Sequence, residues 1–137
     1  MVKNAVLGKE IALRVANKIG VLAGVSKLIA DHGVNIVAVA GYAVEGNNEA
    51  EIMMVTDDNL RAADALKKEG YKPKEREVVV IELENKAGAL KVVTSKLANE
   101  KIDLKYIYGT ACAEACPAKL VLSTSDNAKA LLVFTKK

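Results

Sequence analysis

The six residues Asn17-Lys18-Ile19-Gly20-Val21-Leu22 put an amide side chain, a cation, a glycine and apolar neighbours into one short stretch. The pattern returns as Asn85-Lys86-Ala87-Gly88-Ala89-Leu90, 68 positions further on in a chain of 137 residues. Asparagine offers both a donor and an acceptor. Glycine lets a ligand approach the backbone and adopts turn conformations closed to other residues. Each stretch opens a run with helical spacing, and the first turn of a helix presents unpaired N–H groups at the positive end of its dipole. Such groups suit a small molecule that carries both a carboxylate and an ammonium. The plainer alternative is structural: an asparagine before a helix commonly caps it, and a nearby glycine serves the turn.

The elements that hold these turns follow from periodicity. Val2–Leu7 reads as a short apolar run broken at Gly8, and Ile11, Leu13 and Val15 alternate as a strand with one buried face. Leu22, Val25, Leu28, Ile29 and His32 recur at helical spacing, with Gly33 placed to end the helix. Asn35 opens a strand through Ala40, and Gly46 with Asn47 and Asn48 turns it into a second strand, Ala50–Thr56. Asp57 and Asp58 supply caps for a helix that ends at Gly70. Tyr71–Arg76 suits an edge strand and runs into Glu77–Glu84. The order then repeats: helix Gly88–Lys101, strand Asp103–Gly109, a loop with both cysteines, strand Ala118–Thr124, and a last helix through Phe134.

The repetition extends beyond the turns. Asn17/Asn85, Gly20/Gly88, Val25/Val93, Gly41/Gly109, Thr56/Thr124, Asp58/Asp126 and Asn59/Asn127 coincide at one offset without a gap. The chain is therefore read as a duplication. It divides into a first domain over residues 1–70, with 71–76 as its last strand, and a second over 77–137. The second half ends without a closing strand of its own. At the same offset Tyr71–Arg76 corresponds to Lys3–Gly8, so residues 2–7 are expected to supply that strand, in the same chain or in a partner.

Composition bounds the function. Hydrophobic residues make up 51% of the chain, enough for a core, while four Tyr, one Phe and no Trp leave that core to aliphatic side chains. A net charge of +3 spread along the chain is no nucleic-acid footprint, and no aromatic RNA-binding pattern is present. No apolar run approaches the roughly 20 residues of a membrane helix, and Met1 leads directly into a strand-like pattern. The expectation is a cytoplasmic protein that binds neither nucleic acid nor membrane. Catalytic constellations are not visible: the one His, His32, has no Ser-Asp set around it, and no phosphate loop occurs.

An order β-α-β-β-α-β with an Asn-x-x-Gly-x-Leu turn after its first strand resembles the ACT domain, here twice and over nearly the whole chain. The residues that carry the resemblance are Asn17, Gly20, Leu22 and Gly33-Val34-Asn35-Ile36, then Asn85, Gly88, Leu90 and Ile102-Asp103-Leu104. It implies an α+β fold of two tandem ferredoxin-like βαββαβ sandwiches with antiparallel sheets. It also implies a non-enzymatic regulatory protein that binds a small molecule, an amino acid, without a cofactor. The implied contacts are Asn17, Lys18, Ile19, Gly20, Val21 and Leu22 with Asn35, and Asn85, Ala87, Gly88, Ala89 and Leu90 with Asp103. Ile19 and Ala87 stand where the family often has proline. Asp103 replaces the family's asparagine, favouring an ammonium and repelling a carboxylate, so the first turn fits the family better. ACT units commonly pair edge to edge, which implies a homodimer or an extended sheet with ligand at a junction, and a possible target enzyme. The alternatives are a regulatory subunit of an amino-acid biosynthetic enzyme, such as an acetolactate synthase small subunit, and a pairing module without ligand.

Cys112 and Cys116 stand outside the repeat, matching Val44 and Asn48. Two thiols cannot complete a tetrahedral metal site, and reduced loop thiols are the expected state, with redox or soft-metal chemistry the lesser alternative.

Overall fold

The computed structural model describes residues 2–111 and 116–135. The chain forms two compact units, one of Lys9–Arg76 and one of Met1–Gly8 with Glu77–Lys137. The first residues belong with the second half.

The unit Lys9–Arg76 contains the later part of strand β1 (Val2–Ala16), helix α1 (Val21–Asp31), strands β2 (Ile36–Val44) and β3 (Glu49–Thr56), and helix α2 (Asn59–Lys68). Residues 74–76 of strand β4 (Lys74–Leu83) complete it. Its strand order is β2-β3-β1-β4, with β3 antiparallel to both β1 and β2. Odd-numbered Ile11, Leu13 and Val15 share a face with Ala50, Ile52 and Met54, as the period-2 pattern requires. The helices close over this face. Val25 and Ile29 of α1 and Ala62, Ala63 and Leu66 of α2 join the same core, with Tyr71 partly buried against it. The 71–76 stretch is strand only from Lys74.

The unit Met1–Gly8 with Glu77–Lys137 repeats the plan. It holds the first half of β1, most of β4, helix α3 (Ala89–Asn99), strands β5 (Leu104–Thr110) and β6 (Ala118–Thr124), and helix α4 (Asn127–Thr135). The strand order is β1-β4-β6-β5, with β6 antiparallel to both β4 and β5. Ala5 packs in one core with Val79, Ile81, Leu83, Val93, Leu97, Leu122, Ala130 and Phe134, and Val2 lies against it. The chain is thus an α+β protein of two ferredoxin-like βαββαβ units.

One sequence expectation changes here. Val2–Leu7 and Ile11–Val15 are not two strands separated by Gly8 but one strand of 15 residues. Gly8 stays extended, and a Cβ on it would lie 3.2 Å from the Val80 side chain. The glycine marks a close approach of neighbouring strands rather than a break.

The joints between elements are built alike in both units. Asp58 caps α2 by accepting from the Arg61 N–H at 3.0 Å, and Asp126 accepts from Lys129 N–H at 3.0 Å. Asn59 accepts from the Thr56 N–H and hydroxyl, at 3.2 and 2.6 Å, and donates to the Lys9 carbonyl at 2.9 Å. Asn127 does the same with Thr124 and the Glu77 carbonyl. Each asparagine therefore ties the end of one strand, the start of a helix and the strand beside it. Gly33 ends α1 with φ +73°, and Lys101 takes the equivalent position after α3 with φ +56°. The N–H of Val34 reaches back to Ile29, and that of Ile102 to Leu97, closing both helices in the same way.

Candidate functional site

The Asn17–Leu22 turn joins β1 to α1. Gly20 sits at the helix N-cap with φ 86° and ψ 0°, and no side chain caps the helix. Asn17 is therefore not a cap: its backbone N–H donates to the Asn48 carbonyl at 2.8 Å, and its exposed side chain makes no hydrogen bond among the described residues. Gly20 has open space where a Cβ would stand, so the left-handed backbone, not crowding, requires glycine there. Ile19 is fully exposed at the tip and Leu22 is 46% exposed.

Against this turn lies a hollow of about 460 Å³. Arg14, Val15 and Ala16 from the end of β1, Lys18 to Val21 from the turn, and Gly70, Tyr71 and Lys72 after α2 line it. Of the anticipated residues it gathers Lys18, Ile19, Gly20 and Val21. It adds Arg14, Tyr71 and Lys72, which sequence reasoning missed. The signal for Arg14 was present, as the one cation among the apolar alternation of Ile11, Leu13 and Val15. Nothing in Gly70-Tyr71-Lys72 pointed to the turn, since that proximity arises only when the sheet forms.

Asn35 does not meet Asn17 within the unit. Ala16 pairs with Glu49 at one end of β3, whereas Ile36 pairs with Thr56 at the other. Those ends are separated by the length of the strand, roughly 25 Å at about 3.4 Å per residue. Asn35 is fastened at the far end, its N–H donating to Asp57 Oδ1 at 2.9 Å and its carbonyl accepting from Asp57 N–H at 3.0 Å. The other unit repeats the separation. Leu83 pairs with Ala118 and Leu104 with Thr124, so Asp103 lies opposite the end that carries Asn85. Asp103 N–H donates to Ser125 Oγ at 3.0 Å, and its carbonyl accepts from Ser125 N–H at 2.9 Å.

The second turn has the same backbone and a different surface. Gly88 holds φ 87° at the N-cap of α3, again without a side-chain cap. Ala89 is buried, while Ala87 and Leu90 are exposed. Lys86 Nζ lies 3.1 Å from Glu84 Oε2, and this contact draws the Glu84 carboxyl below its ordinary value.

On the sheet face away from the helices, the unit Lys9–Arg76 carries a charged cluster. Arg76 bridges Glu10 Oε2 at 3.0 Å and Glu51 Oε1 at 3.1 Å, and Glu10 is fully buried. The Tyr42 hydroxyl donates to Glu51 Oε2 at 2.6 Å. This hydrogen bond, helped by Arg76 and Arg14, lowers the Glu51 pKa; it also raises that of Tyr42, against the opposing pull of the same two cations. In the other unit, Tyr106 and Tyr108 stack with ring centroids 6.4 Å apart. His32 Nδ1–H donates to the Leu28 carbonyl at 2.8 Å, a helix-end contact. Cys112 lies outside the described residues, so the cysteine pair is not placed. Among the described residues no cluster of three His, Cys, Asp or Glu side chains forms a metal site, and no helix is long and apolar enough to cross a membrane.

Residues 11–70 match the family model described as the AHAS small subunit-like ACT domain. No curated protein matches the chain by sequence. Among solved structures, a protein from Bacteroides thetaiotaomicron is 26% identical with a TM-score of 0.85, covering 98% of this chain and 90% of its own. The regulatory subunit of aspartate kinase from Thermus thermophilus, in a ligand-free form, is 17% identical with a TM-score of 0.67, covering 97% and 95%. An aspartokinase structure of alpha and beta subunits is 15% identical with a TM-score of 0.63, covering 99% and 97%. These last two share the fold. The left-handed glycine turn and the matched segment agree: residues 11–70 are similar to the ACT domain, and the fold is repeated in the other unit.

Proposed function

We propose that the chain is a non-enzymatic regulatory protein that binds an amino acid at the Asn17–Leu22 turn. The observation that carries this reading is the turn itself. Gly20 leaves α1 without a side-chain cap beside a hollow of about 460 Å³; the Val21 N–H is turned onto the Lys18 carbonyl at 3.3 Å, the N–H groups after it have no side-chain acceptor, and Asn17, outside the hollow's lining, presents an exposed amide in the same turn. Uncapped N–H groups and a dipole end attract a carboxylate. An amide side chain accepts from an ammonium. A ligand held by groups that exist only in the folded unit stabilises it, by about 2.7 kcal/mol at a hundredfold excess over Kd.

The regulated object is proposed to be an enzyme of amino-acid metabolism. Support comes from the AHAS small subunit-like family model and from fold likeness to the regulatory subunit of aspartate kinase. Two copies are proposed to pair through β2, which ends the strand order of its unit and carries the exposed Val39 and Tyr42. Ligand that binds the paired form would shift the monomer–dimer balance.

A thermal-shift series over the twenty amino acids tests the central claim. One or a few should raise Tm by several degrees, and Asn17→Ala should abolish that rise. Because the Asn17 side chain makes no hydrogen bond among the described residues, the unliganded stability should stay within about 0.5 kcal/mol of the parent. A series without any rise leaves the turn as structure only. Co-purification with a larger catalytic chain would identify the target.

A further inference from the structure

We infer that the hollow beside Asn17–Leu22 selects a ligand with a second carboxylate, so that its class is the acidic amino acids. This rests on the reading of that turn as an amino-acid site, and adds the charge of the side chain. Three cations line the hollow, Arg14, Lys18 and Lys72, and no acidic side chain does. Lys18 and Lys72 have no ion-pair partner among the described residues. Arg14 is ion-paired with Glu49 and Glu51, each at 3.6 Å and so beyond hydrogen-bond distance, and is half exposed. Glu51 is meanwhile engaged more closely by Tyr42 and Arg76. The guanidinium therefore keeps donors for a ligand.

A neutral amino acid brings one carboxylate and one ammonium. Lys18 and Lys72 repel the ammonium, Arg14 less so because two glutamates offset its charge, and one carboxylate satisfies only part of the site. A second carboxylate reverses that balance.

The other turn supplies an internal comparison. At the offset of the repeat, Arg14 corresponds to Glu82, Ala16 to Glu84 and Lys72 to Asn4. The cation that both turns share, Lys86 there, is already joined to Glu84 at 3.1 Å. The backbone is the same and the charge is opposite. The cations at Arg14 and Lys72 are therefore not demanded by the fold, which stands without them in the duplicate.

The test is calorimetric titration of the full chain with glutamate, aspartate, glutamine, asparagine, valine and glutarate at low ionic strength. The acidic amino acids should bind about tenfold more tightly than their amides, the order of one added charge-assisted contact. The preference should weaken with salt. Lys18→Gln with Lys72→Gln, both exposed positions, should remove it without changing the circular dichroism. Equal or tighter binding of the amides or of valine overturns the inference while leaving amino-acid binding intact. Binding of glutarate but of no amino acid keeps the charge selection and overturns the amino-acid reading. No binding of any of the six overturns both.

Discussion

Lys101 and Gly33 occupy one position in two copies of the same helix ending, yet only one is a glycine. Lys101 holds φ +56°, where a Cβ costs roughly 1 kcal/mol or more. Lys101→Gly should therefore stabilise the protein by about 1 kcal/mol in urea unfolding, a rare gain from a substitution that removes a side chain. Tyr42 and Glu51 make a second prediction at this scale. Glu51 titrates below its ordinary 4.5, chiefly through the Tyr42 hydroxyl, so its contribution to stability exists above that value and is lost as pH falls through the folded pKa. Tyr42 titrates above its ordinary 10.0, so its contribution is present below that value and lost as pH rises past the folded pKa. Tyr42→Phe should cost about 1 kcal/mol at neutral pH. Stability curves of variant and parent should draw together as pH falls below the ordinary 4.5 of the glutamate and as it rises above the ordinary 10.0 of the tyrosine. Glu10 shows where residue-level reading stops. It is fully buried against Arg76, 66 positions away in the chain, a pairing that no local pattern states.

The elements were more legible than their meeting points. Alternation at Ile11, Leu13 and Val15 and the spacing of Val25 and Ile29 specify a strand and a helix locally, because each period follows from which face must leave water. Gly8 misled, since a glycine between two apolar runs looks like punctuation until Val80 is seen beside it. Asn35 misled differently. Its distance from Asn17 depends on the β1–β3 and β2–β3 registers, which no local pattern states. The asparagines at the starts of α2 and α4 were visible as a repeated pair, but their work is tertiary. Asn59→Ala removes two accepted hydrogen bonds and one donated one, and leaves the buried Thr56 hydroxyl without its acceptor. The expected loss is about 2 kcal/mol, and Asn127→Ala should lose a similar amount, measured by chemical denaturation.

For the whole molecule, the duplication made both plans readable from one, and the charge contrast between the two turns shows how far the copies have diverged. The core of the unit Met1–Gly8 with Glu77–Lys137 takes Ala5 from the start of the chain. Deletion of residues 2–7 should strip a strand from that unit. Amide exchange should then accelerate in α3 and α4, while α1 and α2 keep their protection. Unchanged exchange in α3 and α4 would show that the strand adds nothing to that core.

The membership of β1 in both units also has a consequence for the nascent chain. Residues 9–76 include every element of their unit and can condense as soon as they clear the ribosome. Residues 2–8 are made before them, but their β4 neighbour has not yet been made. For the time taken to translate about seventy more residues, at roughly 5–20 residues per second, that strand edge is held without its partner. Lys3 and Asn4, both exposed, are the polar positions that blunt that edge meanwhile.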